Sequence, residues 1–145
     1  MTALVFVDTN VLIHALDSTD PKKQQAAKAW RINLWDGQTG RVSYQVLQEF
    51  YAQVTRKWPS FREAARAEVR DLLTWRPVTI DAVLLKRSWE VQDRYQLSFW
   101  DSLIVAAAQS ASCRFLLTEN PQSGQDFDGL LVVNPFLRDP ASLTA

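Results

Sequence analysis

The residue that most strongly suggests chemistry is Asp8. It follows the short apolar run 4–7 and stands directly before a second apolar run. An acid at that junction can cap the helix expected from Val11, which contributes about 1 kcal/mol. It can equally hold a metal ion, because ligands of open α/β sheets bind beyond the carboxyl ends of the strands. Asp8 alone does not separate the two roles.

A second acid, Asp101, lies in SFWDSLIVAAAQSA, a segment that is apolar almost all round and therefore typical of a buried helix. Helical spacing places its carboxylate on the face of Ile104, Val105 and Ala108. A capping box from Ser98 to Asp101 explains an acid in the first turn. It does not explain an acid on the buried side, because a buried carboxylate must bind a proton or a cation. The position favours a functional role.

The third candidate, Glu49, is not singled out by periodicity. The apolar stripe of its helix consists of Val46, Leu47, Phe50, Tyr51 and Val54. Glu49 falls about 130° from the middle of that stripe, which predicts a solvated side chain. Further polar residues occupy the loop TENPQSGQDFDG, which follows an apolar strand: Glu119, Asn120, Asp126 and Asp128. Loop polarity needs no special explanation, but Glu119 and Asn120 follow a strand as Asp8 does.

Clustered carboxylates would suit a hard divalent ion such as Mg²⁺ or Mn²⁺, which prefers oxygen ligands. With such an ion they stay ionised, and two ions could activate a water and stabilise the leaving oxygen of a phosphodiester. A zinc site is disfavoured, since the chain has one histidine, His14, and one cysteine, Cys113. There is no phosphate-binding glycine loop, dinucleotide fingerprint or serine nucleophile elbow.

The elements that must position these acids alternate between strand and helix. Short apolar runs predict strands at 4–7, 41–43, 77–80, 114–118 and 130–133. Helical periodicity and start signals predict helices at 11–16, 21–36, 45–58, 60–75, 81–97 and 98–112. The helix at 60 is expected to begin with a capping box from Ser60 to Glu63. The alternation predicts an α/β fold with a parallel sheet covered on both faces.

Size and composition fit one domain spanning 1–145, with 47% hydrophobic and 22% charged residues. The 16 basic and 16 acidic residues cancel, so no overall positive field attracts a polyanion. Nucleic acid would need local basic patches or metal ions. Arg62, Arg66 and Arg70 form one ridge that could hold phosphates, although pairing with Glu63 and Glu68 is the simpler interpretation. The six tryptophans favour core or interface packing over base stacking.

No signal-peptide pattern or membrane-length apolar run is present, so we expect a cytoplasmic protein with no membrane partner.

Four stretches in order, FVDTNVLIHAL, VSYQVLQEFYAQVTRK, SFWDSLIVAAAQSA and FLLTENPQSGQDFDGLLVVNPF, resemble the PIN-domain family and its VapC-like toxins. The resemblance implies a three-layer α/β/α fold with a central, mostly parallel sheet. It further implies a Mg²⁺- or Mn²⁺-dependent endoribonuclease, the toxin of a toxin–antitoxin pair. The expected partners are an RNA substrate and a cognate antitoxin, and the expected assembly is a homodimer.

Carried over by position, the resemblance makes Asp8, Glu49 and Asp101 the catalytic and metal-binding acids. The family's fourth position, commonly an aspartate, is Asn120 here, and the adjacent Glu119 could partly replace it. An amide offers a carbonyl oxygen but no charge. A second metal ion should therefore bind less tightly.

Two other functions compete. A phosphatase of the haloacid-dehalogenase type also has an aspartate after its first strand, usually as D-x-D, whereas the stretch here reads Asp8-Thr9-Asn10. A non-catalytic binding module with the PIN fold would account for the amide at Asn120.

Overall fold

The computed structural model describes residues 2–119 and 124–143. A five-stranded sheet forms its centre, with strand order β2-β1-β3-β5-β4. The strands are β1 (Val5–Val7), β2 (Gly40–Arg41), β3 (Phe115–Leu117), β4 (Asp126–Phe127) and β5 (Leu130–Val133). β2, β1, β3 and β5 are parallel, and β4 pairs with β5 in the antiparallel sense. The predicted α/β class with a mostly parallel sheet is confirmed.

The two central strands explain why both faces of the sheet need helices. Every residue of β1 and β3 is buried, and successive side chains of a strand point to opposite faces. A strand buried on both faces is covered by helices on both sides. The helices are α1 (Thr9–His14), α2 (Pro21–Gly37), α3 (Tyr44–Lys57), α4 (Arg62–Leu72), α5 (Ala82–Tyr95) and α6 (Phe99–Ser110).

Local capping sets where most of these helices begin. Asp20, Ser43, Asp81 and Ser98 each accept a hydrogen bond from the backbone N–H three residues later, which satisfies one free donor of the first turn. These four starts lie within one residue of the predicted ones. α1 begins two residues earlier than expected, because Asp8 already caps it through the Thr9 N–H.

Three predictions about the elements are wrong. Ser60 does not cap α4: residues Pro59–Phe61 form a 3₁₀ turn, and α4 starts after it without a side-chain cap. The segment 77–80 is not a strand, since only Val78 forms a single bridge, to Ser43. The short strand β4 was missed, because its two residues leave no readable periodicity.

The tryptophans divide between core and surface. Trp30 and Trp75 are buried, as packing predicts, whereas Trp89 and Trp100 are 53% and 63% exposed. Cys113 is also buried, and burial raises the pKa of its thiol to about 12. Within the described residues no helix is long and apolar enough to cross a membrane.

Trp75 explains the glycine at the start of β2. A Cβ atom added at Gly40 would overlap the ring of Trp75, while one added at Gly37 would meet only Thr39, at 3.5 Å and beyond. The close approach of backbone and ring therefore requires glycine at position 40 and not at position 37.

Gly40→Ala is accordingly expected to lower the free energy of unfolding by about 2 kcal/mol or more, the usual cost of overpacking a core. Gly37→Ala, at the last turn of α2, is the matched control and is expected to be neutral or slightly stabilising. Urea unfolding of both variants measures the difference. Equal stabilities would contradict the packing argument.

Candidate active site

Asp8 lies at the carboxyl edge of the sheet, where β1 passes into α1. Its backbone N–H donates to the carbonyl of Leu117 at 3.0 Å, which continues the pairing of β1 with β3. Its carboxylate accepts hydrogen bonds from the Thr9 N–H at 2.7 Å and from the Thr118 hydroxyl at 3.0 Å. Asp8 thus caps α1, which confirms the first interpretation, and its place at the end of β1 is the one that the metal-site prediction requires.

Asn10, which the sequence did not single out, fixes this arrangement. Its side-chain amide donates to the Thr118 hydroxyl at 3.0 Å and approaches the Asp8 carboxylate at 3.5 Å. Its carbonyl oxygen accepts the N–H of Glu119 at 3.3 Å. One side chain therefore ties the start of α1 to the end of β3. The signal that could have identified Asn10 is the spacing D-x-N after an apolar strand, because Asp and Asn side chains often form hydrogen bonds with nearby backbone groups.

The pKa of Asp8 shows that the three predicted acids share one electrostatic environment. Its side chain keeps some contact with solvent, yet the surrounding protein raises the pKa of this carboxyl to about 6. Burial is the largest cause, opposed by the hydrogen bonds from Thr9 and Thr118. The negative charges of Glu49 and Asp101 raise the pKa further. Like charges act in this way only at close range.

Glu49 and Asp101 reach this edge from two different helices. Glu49, on α3, is half-buried and accepts a hydrogen bond from the amide of Gln45 at 2.7 Å. Asp101 lies in the first turn of α6, where its N–H donates to the capping Ser98 hydroxyl at 3.1 Å. It is half-buried, next to the fully buried run 102–108. The solvated position that periodicity predicts for Glu49 is therefore wrong, and the partly buried one for Asp101 is confirmed.

The three acids do not form a closed coordination shell as the side chains stand. Among residues 2–119 and 124–143, no three His, Cys, Asp or Glu side chains are close enough together to hold one ion. Gln45 holds the Glu49 carboxylate, and Thr118 holds that of Asp8. The carboxylates of Asp8 and Glu49 are thus each restrained by a hydrogen bond, whereas Asp101 is held through its backbone N–H.

Unsatisfied polar atoms concentrate around the acids. In the described part of the chain, three buried side-chain atoms lack a hydrogen-bond partner: Thr9 Oγ1, His14 Nδ1 and Gln45 Oε1. Thr9 follows Asp8, Gln45 donates to Glu49, and His14 contacts Glu119. Buried polar groups normally find partners in protein, water or a ligand. In the described part of the chain, the buried polar atoms that are still available to a ligand therefore lie in residues that adjoin or contact these acids and Glu119.

Glu119 points to basic partners. One carboxylate oxygen lies 2.6 Å from His14 Nε2, and the other lies 2.8 Å from Lys23 Nζ. Burial alone would raise the pKa of Glu119, but the hydrogen bonds from Lys23 and His14 outweigh it and lower the pKa. Both carboxylate oxygens of Glu119 are therefore already bound by basic side chains. Asn120, the other residue at the fourth position, lies outside the described residues.

The remaining acids of the loop do not join the site. Asp126 accepts the N–H of Gly129 at 2.6 Å, and Asp128 pairs with Arg94 at 2.8 Å. Both line a cavity with Arg114 and Leu130, at the edge where β3 and β5 begin. In parallel strands that edge is opposite the one that carries Asp8.

Contacts within the protein account for Arg66 of the α4 ridge, while Arg62 and Arg70 are exposed. Arg66 donates to the Tyr51 hydroxyl at 3.0 Å and pairs with Glu63 at 3.1 Å. Glu68 is not part of this ridge, since it forms a two-pronged ion pair with Arg31 of α2.

The donor set fits a hard divalent cation in its chemistry. Asp8, Glu49 and Asp101 offer carboxylate oxygens, which Mg²⁺ and Mn²⁺ prefer. A cation among them would favour the ionised form of Asp8 against the effects of burial and of the two neighbouring charges. In open α/β sheets, ligands bind beyond the carboxyl ends of the strands, which is the edge that carries Asp8.

The family is established by comparison with known domain families. The model of the PIN domain matches residues 5–124, and this chain belongs to the PIN-domain family. The match covers all three acids and the strands that position them. It leaves the haloacid-dehalogenase alternative without support. A comparison with curated protein sequences gave no significant match.

Solved structures with a similar fold include proteins of toxin–antitoxin systems. A chain of a toxin–antitoxin complex from Klebsiella pneumoniae is 23% identical, with a TM-score of 0.66 over 90% of this chain and 97% of that one. The VapC20 toxin of Mycobacterium tuberculosis, described as cleaving the sarcin–ricin loop, is 24% identical, with a TM-score of 0.60 over 77% and 86%. A chain of FitAB bound to a DNA fragment is 18% identical, with a TM-score of 0.72 over 92% and 96%.

The raised pKa of Asp8 predicts how stability depends on pH. The folded protein binds more protons than the unfolded chain between the unfolded value of 3.8 and the folded value of about 6. Stability is therefore lost as the pH rises through this window. Without metal, Asp8→Asn is expected to stabilise the protein by about 3 kcal/mol at pH 7.5 and by less than about 1 kcal/mol near pH 4.

Urea unfolding in EDTA at the two pH values measures this difference. Asp81→Asn, the same change at the exposed cap of α5, is the matched control. A stabilisation by Asp8→Asn that is equal at both pH values would contradict the electrostatic origin of the effect.

Proposed function

We propose that this PIN-domain protein is a metal-dependent endoribonuclease, and that it is the toxin of a toxin–antitoxin pair. The observation that supports the proposal is the position of Asp8 at the carboxyl end of β1, where burial and the charges of Glu49 and Asp101 raise the pKa of its carboxyl. Family membership supports nuclease chemistry at this edge, and the fold shared with VapC20 supports RNA as substrate.

In this proposal the three carboxylates hold Mg²⁺ or Mn²⁺. The ion would polarise the attacking water and offset charge on the leaving oxygen. Hydrolysis adds the oxygen of water to phosphorus and breaks one phosphorus–oxygen ester bond. Asn10 and Thr118 orient the Asp8 carboxylate, and Gln45 orients that of Glu49. Such fixed orientation supports catalysis, because groups held in place need no rearrangement during the reaction.

The basic neighbours of Glu119 give this edge a second role, which is to contact a phosphate of the bound RNA strand. Lys23 and His14 stand at the rim of the site through their contacts with Glu119. Lys23 is partly exposed, so its ammonium group can contact a phosphate of the bound strand while it stays paired. We assign Glu119 to holding these two residues in place. This assignment leaves one metal ion as the simplest stoichiometry.

The proposed partners follow from the structural relatives. The Klebsiella structure is a toxin–antitoxin complex, which supports a cognate antitoxin that blocks the acidic edge. A homodimer is the proposed assembly. The exposed Trp89 and Trp100 supply apolar surface for either contact.

Substituting the acids tests the catalytic proposal. Asp8→Asn and Asp101→Asn are each expected to lower Mg²⁺-dependent cleavage of RNA by at least about 100-fold, because each removes a charged ligand. Glu49→Gln is expected to act in the same direction. Gel analysis of a structured RNA measures the effect, with EDTA and with Asp139→Asn, a change at an exposed acid near the C-terminus, as controls. Cleavage by Asp8→Asn at the wild-type rate would refute the proposal.

Calorimetry with Mn²⁺ separates an enzyme from a non-catalytic module. The wild-type protein is expected to bind Mn²⁺, and Asp101→Asn to bind it at least about tenfold more weakly. Absence of Mn²⁺ binding by the wild-type protein, together with absence of cleavage, would favour the binding module.

Glu119→Gln tests the assignment of Glu119 to its basic partners. Loss of its charge is expected to lower the free energy of unfolding by about 1 kcal/mol, since the pairs are partly exposed. Mn²⁺ affinity is expected to change by less than about threefold, as the ion does not use this carboxylate. A loss of affinity as large as that of Asp101→Asn would make Glu119 a ligand.

A further inference from the structure

The edge of the sheet where the strands begin carries a feature that the nuclease proposal does not use. Three cavities lie there, with volumes of about 720, 460 and 310 Å³. They include Leu4 before β1, Arg114 before β3 and Leu130 at the start of β5. This edge is opposite the one that carries Asp8.

The three cavities adjoin one another, and we treat them as one groove. Arg87 lines both the first and the second cavity, and Arg41 and Arg76 line both the second and the third. An independent observation links the second cavity to the first: the charge of Arg41 acts on the thiol of Cys113, which lines the first cavity. We call the groove lined by Arg41, Arg76, Arg87 and Arg114 the arginine groove.

Three of the four arginines have free donors. In the part of the chain that the structure describes, no side-chain hydrogen bond or ion pair involves Arg76, Arg87 or Arg114, while Arg41 donates to the carbonyls of Gln38 and Gly40. Each guanidinium carries five N–H donors in a fixed plane that matches a phosphate.

The acids beside the arginine groove have other partners. Asp128 pairs with Arg94, whereas Asp81 and Asp126 keep their charge and accept only the neutral N–H groups of Leu84 and Gly129. Four arginines against these two carboxylates still leave the lining of the groove with a net positive charge, although the whole chain is neutral. A local excess of this kind is the basic patch that a polyanion needs.

One end of the groove is aromatic. Trp35 lines the third cavity with Arg41 and Arg76 and is 39% exposed. Its ring contacts Trp75 and the guanidinium of Arg31, which fix its position. A fixed and exposed tryptophan beside arginines is the combination that single-stranded nucleic acid uses, with bases stacked on the ring and phosphates on the cations.

The simplest alternative is that these arginines only balance the carbonyl ends of helices. α2 and α6 both end at this edge, and cations at helix ends are stabilising. That role accounts for Arg41, which binds the carbonyls after α2. It does not account for Arg87, in the middle of α5, or for Arg114, at the start of β3.

We propose that the arginine groove is a second nucleic-acid site, which binds a single-stranded segment of RNA at the edge of the sheet opposite the acids. The two sites have complementary tasks. The acidic edge repels the polyanion unless metal is bound, whereas the groove attracts it at all times. A substrate held in the groove would keep the protein on the RNA while another segment meets the acids.

Fluorescence anisotropy with a labelled 12-nucleotide RNA tests the groove on the full-length protein in EDTA, where no cleavage occurs. Arg76→Ala/Arg87→Ala is expected to weaken binding at least about tenfold. Two lost phosphate contacts should also lower the slope of log affinity against log salt by about 1.4. Trp35→Ala is expected to weaken binding and leave the salt slope unchanged, since stacking carries no charge.

The matched control is Arg62→Ala/Arg70→Ala, which removes two exposed arginines of α4 outside the groove. It is expected to change RNA affinity by less than about twofold. An equal loss of RNA affinity in the two double variants would overturn the proposal. A wild-type protein that does not bind the RNA would also overturn it. Displacement of the RNA by an equimolar acidic peptide would also overturn it, in favour of a protein partner.

The result is independent of the proposed nuclease. RNA binding that depends on the groove, in a protein that fails to cleave RNA with Mg²⁺, would refute only the nuclease. Cleavage by a protein whose groove variants bind RNA normally would refute only the groove.

Discussion

The burial of one acid beside two others is the constraint around which this structure is organised. Burial is the largest cause that raises the pKa of Asp8 to about 6, and the charges of Glu49 and Asp101, from two helices, raise it further. Such an arrangement opposes folding, and the protein maintains it with specific hydrogen bonds. The backbone of Asp8 is paired with β3, and its carboxylate is held by Thr9 and Thr118. Strain of this kind concentrates at functional sites.

The sheet also separates charge between its two edges. Acids lie where the parallel strands end, and unpaired arginines lie where they begin. A net charge of zero therefore conceals a strong asymmetry. This separation would suit a protein that acts on a polyanion, because one surface would attract the polyanion and the opposite surface would carry out the chemistry. A metal ion at the acids would then add local attraction at the point of cleavage.

The sequence allowed the fold class to be predicted, because buried parallel strands are continuous apolar runs and the caps Asp20, Asp81 and Ser98 mark helix starts. It allowed Asp8 and Asp101 to be chosen on physical grounds, from a strand end and an apolar helix face. It failed for Glu49, because the environment of this residue depends on how α3 packs against other elements and not on the periodicity of α3. Only the family resemblance identified Glu49 as a candidate.

The arginine groove was also not predictable, since Arg41, Arg76, Arg87 and Arg114 are spread over the chain and meet through topology. The segment 77–80 was wrongly assigned because a short apolar run does not distinguish a strand from a single bridge.

The central claim is that three distant carboxylates share one divalent cation. Anomalous diffraction from crystals grown with Mn²⁺ tests it most directly, because it locates the ion without reference to activity. The account predicts a single strong peak bonded to oxygens of Asp8 and Asp101, with Glu49 bonded to the ion or to one of its waters. Mn²⁺ bound only elsewhere on the protein, with the three carboxylates unchanged, would contradict it.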